Sequence, residues 1–353
     1  MKKIILTGGG TAGHVTPNIA LVPKLKAADF EIKYIGSKKG MEKQLVEDAG
    51  LDYAGISSGK LRRYFSFQNF IDPFKIVKGY FQAKRIIKKF KPDVVFSKGG
   101  FVTVPVVYAA AKYGIPVVSH ESDITPGLAN RLALKKTSVV CYSFPETAKH
   151  LGSKGKFTGS PIRAELFEGN ADVAKKMCGF TDDKPIIMVT GGSLGAENVN
   201  KLVREALPTL LKTFNVAHLC GEGKTDESLK DTQGYAQFEY IKDEMKDFFA
   251  MADLMISRAG ANSIFEIVAL AKPNILIPLS ANASRGDQIL NAKSFENQGF
   301  SVVLEEDGAS GEDLVNKVNE LYSNKDKYIE AMRASNFSGG VDAIIDTIKE
   351  NVK

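Results

Sequence analysis

Two stretches of the sequence decide the fold: residues 4–10, which read IILTGGG, and residues 186–192, which read IIMVTGG. Each is a short aliphatic run that leads directly into glycines. This pattern is typical of a buried parallel strand followed by a tight turn and a helix. The chain therefore contains two halves that open in the same way.

Further β-branched runs alternate with amphipathic stretches in both halves. We predict strands at 32–35, 94–97, 116–119 and 139–143, and after residue 186 at 216–219, 237–240, 254–257, 274–277 and 301–304. This alternation predicts an α/β protein with two Rossmann-like, doubly wound parallel sheets. A turn-rich stretch at 158–161 places the boundary between domains 1–160 and 161–337. Because ligands bind beyond the carboxyl ends of such strands, we expect the domains to face each other across a cleft.

Composition excludes several classes of protein. The 353 residues are 44% hydrophobic and 25% charged, which is ordinary globular usage. A net charge of +6 is modest for this length and does not indicate a nucleic-acid partner. The three cysteines are far apart and lack zinc-site spacing, so we expect a reduced, cytoplasmic protein. The longest apolar run, 104–111, is too short for a bilayer span.

Two glycine-rich loops are candidates for binding an anionic group. Residues 8–14 (GGGTAGH) and 191–196 (GGSLGA) both follow a predicted strand and precede a helix, where backbone N–H groups and the helix dipole favour negative charge. No G-K-[ST] follows the glycines, so a P-loop is excluded. The strand at 32–35 ends without a carboxylate for a ribose, which argues against NAD. The alternative is that the glycines only permit tight packing.

A third loop adds side chains suited to a nucleotide. Residues 257–266 (SRAGANSIFE) run from a strand into a helix, where Glu266 can accept hydrogen bonds from ribose hydroxyls. Arg258 can neutralise a phosphate or hold the loop. Residues 284–288 (SRGDQ) can contact sugar hydroxyls. The alternative for Glu266 is an acid that merely stabilises a helix N-terminus.

The segment 60–91 is strongly basic, with ten Lys and Arg against one acid, a net +9. Asp72 and Pro73 predict the start of a helix whose core stripe is Ile76, Tyr80, Ala83 and Ile87. A second stripe combines aromatic and aliphatic side chains with cations: Phe74, Val77, Lys78, Phe81, Arg85 and Lys88. This stripe suits docking on an anionic membrane surface. The alternative is a solvated helix face.

Six ordered motifs carry a resemblance that covers nearly the whole chain: 9–14 with Pro17, 98–102 with Pro105, 120–121 with Gly127 and Asn130, Gly159 with Pro161 and Arg163, 191–196, and 258–266. The sequence resembles glycosyltransferase family 28 of the GT-B superfamily, in particular its peptidoglycan N-acetylglucosaminyltransferases. The resemblance implies a peripheral enzyme on the cytoplasmic face of the cell membrane. It also implies that segment 338–353 is a helix returning to an N-terminal, acceptor- and membrane-binding domain.

The implied reaction is an inverting transfer of GlcNAc from UDP-GlcNAc to the muramoyl 4-hydroxyl of lipid I, which gives lipid II for peptidoglycan synthesis. The implied partners are UDP-GlcNAc, lipid I, an anionic membrane surface and other cell-wall synthesis enzymes, without nucleic acid. No metal site and no cofactor are required, although a divalent cation can stimulate such a reaction. Three alternatives stay open: a UDP-GlcNAc 2-epimerase, another lipid-acceptor UDP-sugar transferase, and a non-catalytic UDP-sugar-binding membrane adaptor.

Site residues are carried over position by position. Ser193 and its glycines would hold the UDP diphosphate, Glu266 the ribose, the Ile241 backbone the uracil and Gln288 the GlcNAc hydroxyls. The implied donor site comprises Thr11, Ala12, Gly13, Arg163, Gly192, Ser193, Gly195, Ile241, Arg258, Gly260, Ala261, Ser263, Glu266 and Gln288. The implied acceptor site comprises Phe101, Asp123 and Asn130.

A general base must deprotonate the acceptor hydroxyl. His14 is the first candidate, because an imidazole titrates near neutral pH and its loop lies at the expected cleft; a structural role in the loop is the alternative. His120 is the second candidate. The chain departs from the usual family motifs at Ala12, Asp123, Ser160, Leu194 and Asp287. Asp123 stands out, since a carboxylate near a diphosphate is unfavourable unless it faces a hydroxyl or an amide.

Overall fold

The computed structural model describes residues 1–59, 68–192, 195–281, 286–335 and 337–353. The chain divides into two compact units. Unit 1 comprises Met1–Ile162 and Ser338–Lys353, and unit 2 comprises Arg163–Phe337. The chain therefore leaves unit 1, builds the whole of unit 2, and returns to unit 1 for its last residues.

Unit 1 is built on one parallel sheet. Its strands are β1 (Lys2–Thr7), β2 (Phe30–Ser37), β3 (Asp52–Ile56), β4 (Val94–Ser97), β5 (Val117–Glu121), β6 (Val139–Tyr142) and β7 (Gly155–Phe157). The sheet order is β3-β2-β1-β4-β5-β6-β7. The helices between these strands are α1 (Thr16–Ala27), α2 (Glu42–Asp48), α3 (Gln68–Phe90), α4 (Thr103–Lys112), α5 (Leu128–Ala133) and α6 (Ala148–Leu151).

Unit 2 has the same design. Its strands are β8 (Ile186–Thr190), β9 (Asn215–Leu219), β10 (Tyr235–Phe238), β11 (Leu254–Ser257), β12 (Asn274–Leu276) and β13 (Val302–Val303), in the order β10-β9-β8-β11-β12-β13. Its helices are α7 (Ala171–Cys178), α8 (Glu197–Leu210), α9 (Met245–Met251), α10 (Ala261–Ala269), α11 (Asp287–Asn297), α12 (Gly311–Ser323) and α13 (Lys325–Ala334).

The last helix, α14 (Gly340–Glu350), completes a core of unit 1. Its buried residues Ile344, Ile345 and Ile348 pack in one cluster with Leu21 and Leu25 of α1. Residues three and four apart lie on one helix face, so a single face of α14 is covered.

Strand β1 shows why the sheet of unit 1 carries helices on both faces. Ile4 and Leu6 pack into the cluster that contains α1, whereas Ile5 packs with Val106 and Val107 of α4 on the opposite side. Successive strand residues point to opposite faces, so an aliphatic run of this kind requires two apolar layers. The predicted α/β class with two Rossmann-like parallel sheets is confirmed.

The strand order places the loops that matter. In unit 1 the order reverses between the neighbours β1 and β4, and in unit 2 between β8 and β11. Loops that follow these strands diverge at such a point and leave a crevice at the carboxyl edge of the sheet. Residues 8–14 and 98–102 meet at the first crevice. At the second, residues 191–192 and 195–196 follow β8, and residues 258–260 follow β11.

Three sequence predictions need correction. β3 and β7 lie at the two edges of their sheet and were not predicted, because Asp and Gly in DYAGI and the short GKF give weak strand signals. β10 begins and ends two residues earlier than the predicted 237–240. α3 begins at Gln68, so Asp72 is not its N-cap, and Pro73 lies inside the helix.

Candidate active site

The donor-side loops of unit 2 require glycine at specific points. Gly192 and Gly195 have φ values of +85° and +67°, which other residues rarely adopt. A side chain at Gly195 would also collide with the carbonyl of Cys220. The loop therefore brings its backbone close to the end of β9 and presents main-chain groups at the crevice; the predicted Ser193 and its neighbour Leu194 lie outside the described residues.

Helix α10 begins at the opposite side of this crevice. Its N-cap is Gly260, which is extended and has no side chain with which to cap the N–H groups of the first turn. Ala261 and Ser263 belong to that turn. An uncapped helix N-terminus favours an anionic group through its N–H donors and its dipole. The geometry is thus suited to the phosphate role implied for Gly260, Ala261 and Ser263.

Glu266 and Arg163 come together, although 103 positions separate them in the sequence. The Arg163 Nε donates to Glu266 Oε1 at 3.0 Å, and Nη2 donates to Oε2 at 3.4 Å. Burial disfavours the charge on Arg163, yet the Glu266 carboxylate holds the pKa of the guanidinium above its ordinary value. A carboxylate has about four acceptor positions. The two contacts with Arg163 fix the orientation of the Glu266 carboxylate and leave it capacity to accept further hydrogen bonds.

Arg258 is engaged inside unit 2. It is 9% exposed, its Nη1 donates to the carbonyl of Ile277 at 3.1 Å, and its Nη2 forms an ion pair with Glu306. Glu306 also accepts the N–H of Ser280 at 3.1 Å. Of the two roles considered for Arg258, this geometry favours holding the loops after β11 and β12 over contacting a phosphate.

Two further residues of the implied donor site in unit 2, Gln288 and Ile241, lie at or near the ends of secondary-structure elements. Gln288 is the second residue of α11, and its Oε1 accepts the N–H of Leu279 at 3.0 Å, which ties α11 to the loop after β12. Ile241 follows β10, and its side chain is buried. A buried side chain at this position is compatible with the implied use of its backbone for a base.

In unit 1 the first loop turns on His14. Residues Ala12–His14 form a 3-10 turn, and Thr11 Oγ1 lies 3.1 Å from His14 Nδ1. If the Thr11 hydroxyl accepts from Nδ1–H, Nε2 is the nitrogen that accepts a proton. The half-buried ring lines a cavity of about 510 Å³ that also includes Thr11, Phe101 and Lys39. His14 therefore has both an orienting partner and access to a substrate-sized space.

The loop after β4 packs tightly against the loop after β1. Gly99 and Gly100 have φ values of +105° and +88°. A Cβ at Gly100 would collide with the carbonyl of Gly9, and one at Gly99 would lie 3.5 Å from His14 Cδ2 and 3.1 Å from Asn130 Oδ1. The two glycines thus permit His14 and the predicted acceptor residue Asn130 to approach the same point.

His120 occupies a different environment from His14. It is fully buried in β5, and its Nε2 lies 3.0 Å from the Gly159 carbonyl and 3.5 Å from Ser143 Oγ. Burial, together with the charge of Lys98, lowers the pKa of His120 well below its ordinary value. A neutral imidazole enclosed in this way does not reach a substrate hydroxyl here, so the geometry favours His14 as the base.

Two carboxylates and a lysine had no role assigned from the sequence. Glu42 is fully buried beneath the first loop and accepts the N–H of Ser37 at 2.8 Å and of Gly10 at 3.4 Å. Glu121 and Lys98 lie at the ends of β5 and β4, in motifs that the resemblance used without a stated function. A charged residue at the carboxyl end of a predicted aliphatic strand was the sequence signal available for these two.

The aromatic and basic stripe of α3 is solvent-exposed. Phe74, Val77 and Phe81 are 76%, 54% and 63% exposed, and Lys78, Arg85 and Lys88 are exposed beside them. Next to this stripe lies an apolar groove of about 740 Å³, lined among others by Tyr80, Tyr108 and Lys112.

None of the described helices is both long and apolar enough to cross a bilayer. Across the same described residues, no three or more His, Cys, Asp or Glu cluster in a way that could hold a metal ion.

Known proteins resemble the chain along its whole length. The family models for the glycosyltransferase family 28 N-terminal and C-terminal domains match residues 4–141 and 186–348. A relative from Clostridium tetani is 58% identical over 350 residues, covering 99% of this chain and 98% of its own, and is named UDP-N-acetylglucosamine--N-acetylmuramyl-(pentapeptide) pyrophosphoryl-undecaprenol N-acetylglucosamine transferase.

Among solved structures, the chain is similar to Acinetobacter baumannii MurG, with a TM-score of 0.76 and 26% identity over 99% of this chain and 100% of that one. A UDP-N-acetylglucosamine 2-epimerase aligns with a TM-score of 0.72 but only 13% identity over 99% of this chain and 95% of its own, which shows a shared fold alone. The two domain matches and the full-length identity establish that this chain belongs to glycosyltransferase family 28.

Proposed function

We propose that this protein is an inverting N-acetylglucosaminyltransferase that moves GlcNAc from UDP-GlcNAc to the muramoyl 4-hydroxyl of lipid I and so produces lipid II. The observation that carries the proposal is 58% identity over nearly the whole length to a transferase named for this reaction. The arrangement of the site supports it, because each unit places glycine-rich loops at the switch point of its sheet.

In unit 2, the donor is held by groups that suit a nucleotide diphosphate. The N–H groups of α10 and of the loop after β8 face negative charge, and the Glu266 carboxylate, oriented by Arg163, accepts from the ribose. As the bond from the anomeric carbon to the diphosphate oxygen breaks, negative charge grows on UDP. Pre-oriented N–H donors and the nearby Arg163 guanidinium stabilise that charge. The proposal assigns no step to a metal ion.

In unit 1, His14 removes the proton from the attacking 4-hydroxyl. The sugar hydroxyl oxygen forms its bond to the anomeric carbon from the face opposite the leaving UDP, which inverts the configuration. Thr11 orients the imidazole through Nδ1. General-base catalysis of this kind contributes roughly 10²- to 10⁴-fold to a rate.

We also infer that the protein acts as a peripheral protein on the cytoplasmic face of the membrane. The exposed stripe on α3 combines three apolar side chains with cations on the same helix. Apolar side chains can enter the headgroup region while Lys and Arg interact with anionic lipids. A lipid-linked acceptor would be met at that surface.

The deciding experiment is transfer of labelled GlcNAc from UDP-GlcNAc to a lipid I analogue, run with acceptor-free controls and in excess chelator. A disaccharide product that forms only with acceptor supports the transferase. UDP-ManNAc formed without acceptor would indicate a 2-epimerase, and tight UDP binding without any product would indicate an adaptor. Transfer that survives the chelator supports a metal-independent reaction.

A further inference from the structure

Lys98 is a buried ammonium at the switch point of unit 1. Its backbone N–H donates to the Thr7 carbonyl at 2.9 Å, which extends the pairing of β1 and β4 by one residue. Its side chain is 2% exposed, and its Nζ donates to the Ser122 hydroxyl in the loop after β5. A lysine is almost never buried to this degree without a charged partner.

Glu121 fastens the same loop, residues 122–127, which we call the acceptor loop. Its Oε1 accepts the N–H of Asp123 at 3.1 Å, and its Oε2 accepts the N–H of Gly127 at 3.0 Å and the Nδ2 of Asn130 at 2.8 Å. An ionised carboxylate accepts all three bonds, whereas a protonated one loses acceptor capacity. The position of Asp123 and Asn130 therefore depends on the charge of Glu121.

Lys98 interacts electrostatically with two carboxylates, those of the buried Glu121 and the half-buried Asp123. Burial raises the pKa of Glu121, and the charge of Asp123 raises it further. Burial lowers the pKa of Lys98 to about 8, while Glu121 and Asp123 both oppose that decrease. The charge of Lys98 thus acts on two carboxylates that lie two residues apart.

We propose that Lys98 is a positioning residue for acceptor binding: its ammonium holds Ser122 and offsets the Asp123 charge, so that Glu121 stays ionised and fixes the acceptor loop. The inference rests on the proposed function, since the acceptor is the lipid-linked sugar. It also accounts for the carboxylate at Asp123, which is tolerated because Lys98 lies beside it. Gly99, the next residue, separates His14 from Asn130, so the same segment borders the proposed base.

The test is a double-mutant cycle on the full-length protein with Lys98→Met, Asp123→Asn and the combined variant. Lys98→Met removes the ammonium that acts on both carboxylates, and we expect the KM for a lipid I analogue to rise about tenfold, the order of a coupling between contacting charges. The KM for UDP-GlcNAc stays near that of the wild type. In the Asp123→Asn background, the same Lys98→Met change has a clearly smaller effect, because the net charge of the group returns to its original value.

Lys154→Met is the matched control. Lys154 also lies in unit 1 and donates to two backbone carbonyls, those of Leu134 at 2.9 Å and Thr137 at 2.8 Å. We expect Lys154→Met to change the stability of the protein without raising the KM for the lipid I analogue relative to the KM for UDP-GlcNAc. Equal effects of Lys98→Met in both backgrounds, or an unchanged acceptor KM, would overturn the proposal.

A pH profile keeps the proposal testable if Lys98→Met does not fold. The groups facing Lys98 are Glu121, Asp123 and His120, and His120 is neutral near pH 8 because its pKa is lowered. We expect the kcat/KM of the wild type for the acceptor to fall above about pH 8, where Lys98 loses its proton. In Asp123→Asn this fall should begin at a lower pH, because the variant lacks one of the negative charges that stabilise the ammonium. An unchanged pH for this fall would contradict the proposal. Transfer by the wild type in the same assays tests the proposed function itself. A failure of that function can therefore be distinguished from a failure of the role proposed for Lys98.

Discussion

The Arg163 guanidinium and the Glu266 carboxylate form a two-point contact in unit 2, with Nε to Oε1 at 3.0 Å and Nη2 to Oε2 at 3.4 Å. The two side chains are 23% and 15% exposed, so the pair is partly desolvated and still reachable by a ligand. A fork of this type fixes the plane of the carboxylate. The orientation of Glu266 is thereby fixed by unit 2 itself.

We expect Glu266→Gln to raise the KM for UDP-GlcNAc roughly tenfold or more, since a hydrogen bond to a charged group contributes about 1.5–3 kcal/mol. The KM for the acceptor should change little. Glu165→Gln is the matched control, because Glu165 is 62% exposed and lies 3.6 Å from the same guanidinium. Initial-rate kinetics with both substrates varied would measure this. Equal effects of the two substitutions would contradict an assignment of Glu266 to the ribose.

His14→Ala should lower kcat by about 10²- to 10⁴-fold while UDP binding is retained, because only the proton transfer is removed. Thr11→Val should give a smaller loss, since it leaves the imidazole but removes the group 3.1 Å from Nδ1. His150→Ala serves as a control for loss of a histidine outside the first loop. Single-turnover rates measure the chemical step, and calorimetry with UDP measures nucleotide binding. A His14→Ala variant with normal kcat would exclude this residue as the base.

Replacing both Phe74 and Phe81 with Ser should weaken binding to anionic vesicles by roughly tenfold for each residue, the scale of an apolar side chain leaving a nonpolar environment. The change is predicted from their high exposure and the cations beside them. Co-sedimentation with anionic and with zwitterionic vesicles measures it. Phe167→Ser, which alters an exposed aromatic residue of unit 2, should bind like the wild type. An equal loss in that control would argue against docking through α3.

Acid should destabilise unit 2 through His218. Its Nδ1 lies 2.9 Å from the Tyr235 hydroxyl and its Nε2 lies 3.0 Å from Asn200 Oδ1. Burial, with the Arg204 charge, lowers the pKa from 6.5 to about 3. Between these values the unfolded chain binds a proton that the native state does not. Stability therefore falls as the pH falls below 6.5, by up to about 1.4 kcal/mol per pH unit. Urea unfolding at pH 7 and pH 5 should show a smaller difference for His218→Gln than for the wild type; an equal difference would refute the assignment.

Ile348→Ala should lower the free energy of unfolding by about 2–5 kcal/mol, the usual cost of a large-to-small change in a packed core. Ile348 is fully buried in the cluster that joins α14 to α1. Glu350→Gln on the same helix removes only an exposed ion pair with Lys156, which is worth at most about 1 kcal/mol. Denaturant titrations compare the two. A loss for Ile348→Ala no larger than for Glu350→Gln would show that α14 does not complete the core.

The sequence predicted the parts of the fold that depend on buried aliphatic runs. β1 and β8 are recognisable because both faces of a parallel strand are covered, whereas β3 and β7 lie at sheet edges and carry glycine or charged residues. α3 was predicted to start at Asp72 from a local cap signal. The structure instead places the buried Asp72 carboxylate 2.9 Å from the ammonium of the partly exposed Lys75, inside a longer helix. The cap signal therefore predicted a helix here but not its start, which lies at Gln68.

The candidate site likewise has features that the sequence predicted and features that only the structure shows. Strand-to-glycine motifs locate His14, Gly192 and α10, because the chain itself carries the turn and the helix start. The Arg163–Glu266 contact and the engagement of Arg258 by Glu306 join residues far apart in the chain. The charge group of Lys98, Glu121 and Asp123 is formed by residues at and just beyond the ends of two neighbouring strands, β4 and β5. Such relationships depend on tertiary folding, and no local spacing encodes them.

The position of α14 has a consequence for synthesis on the ribosome. Chains emerge from the N-terminus, and domains generally fold as units during elongation. Unit 2 has its complete sequence once residue 337 has emerged, whereas unit 1 still lacks Ile344, Ile345 and Ile348. The half of the protein that begins first therefore closes its core last. A truncated chain ending before α14 would expose the apolar surface of α1, which gives quality control a feature by which to recognise unfinished molecules.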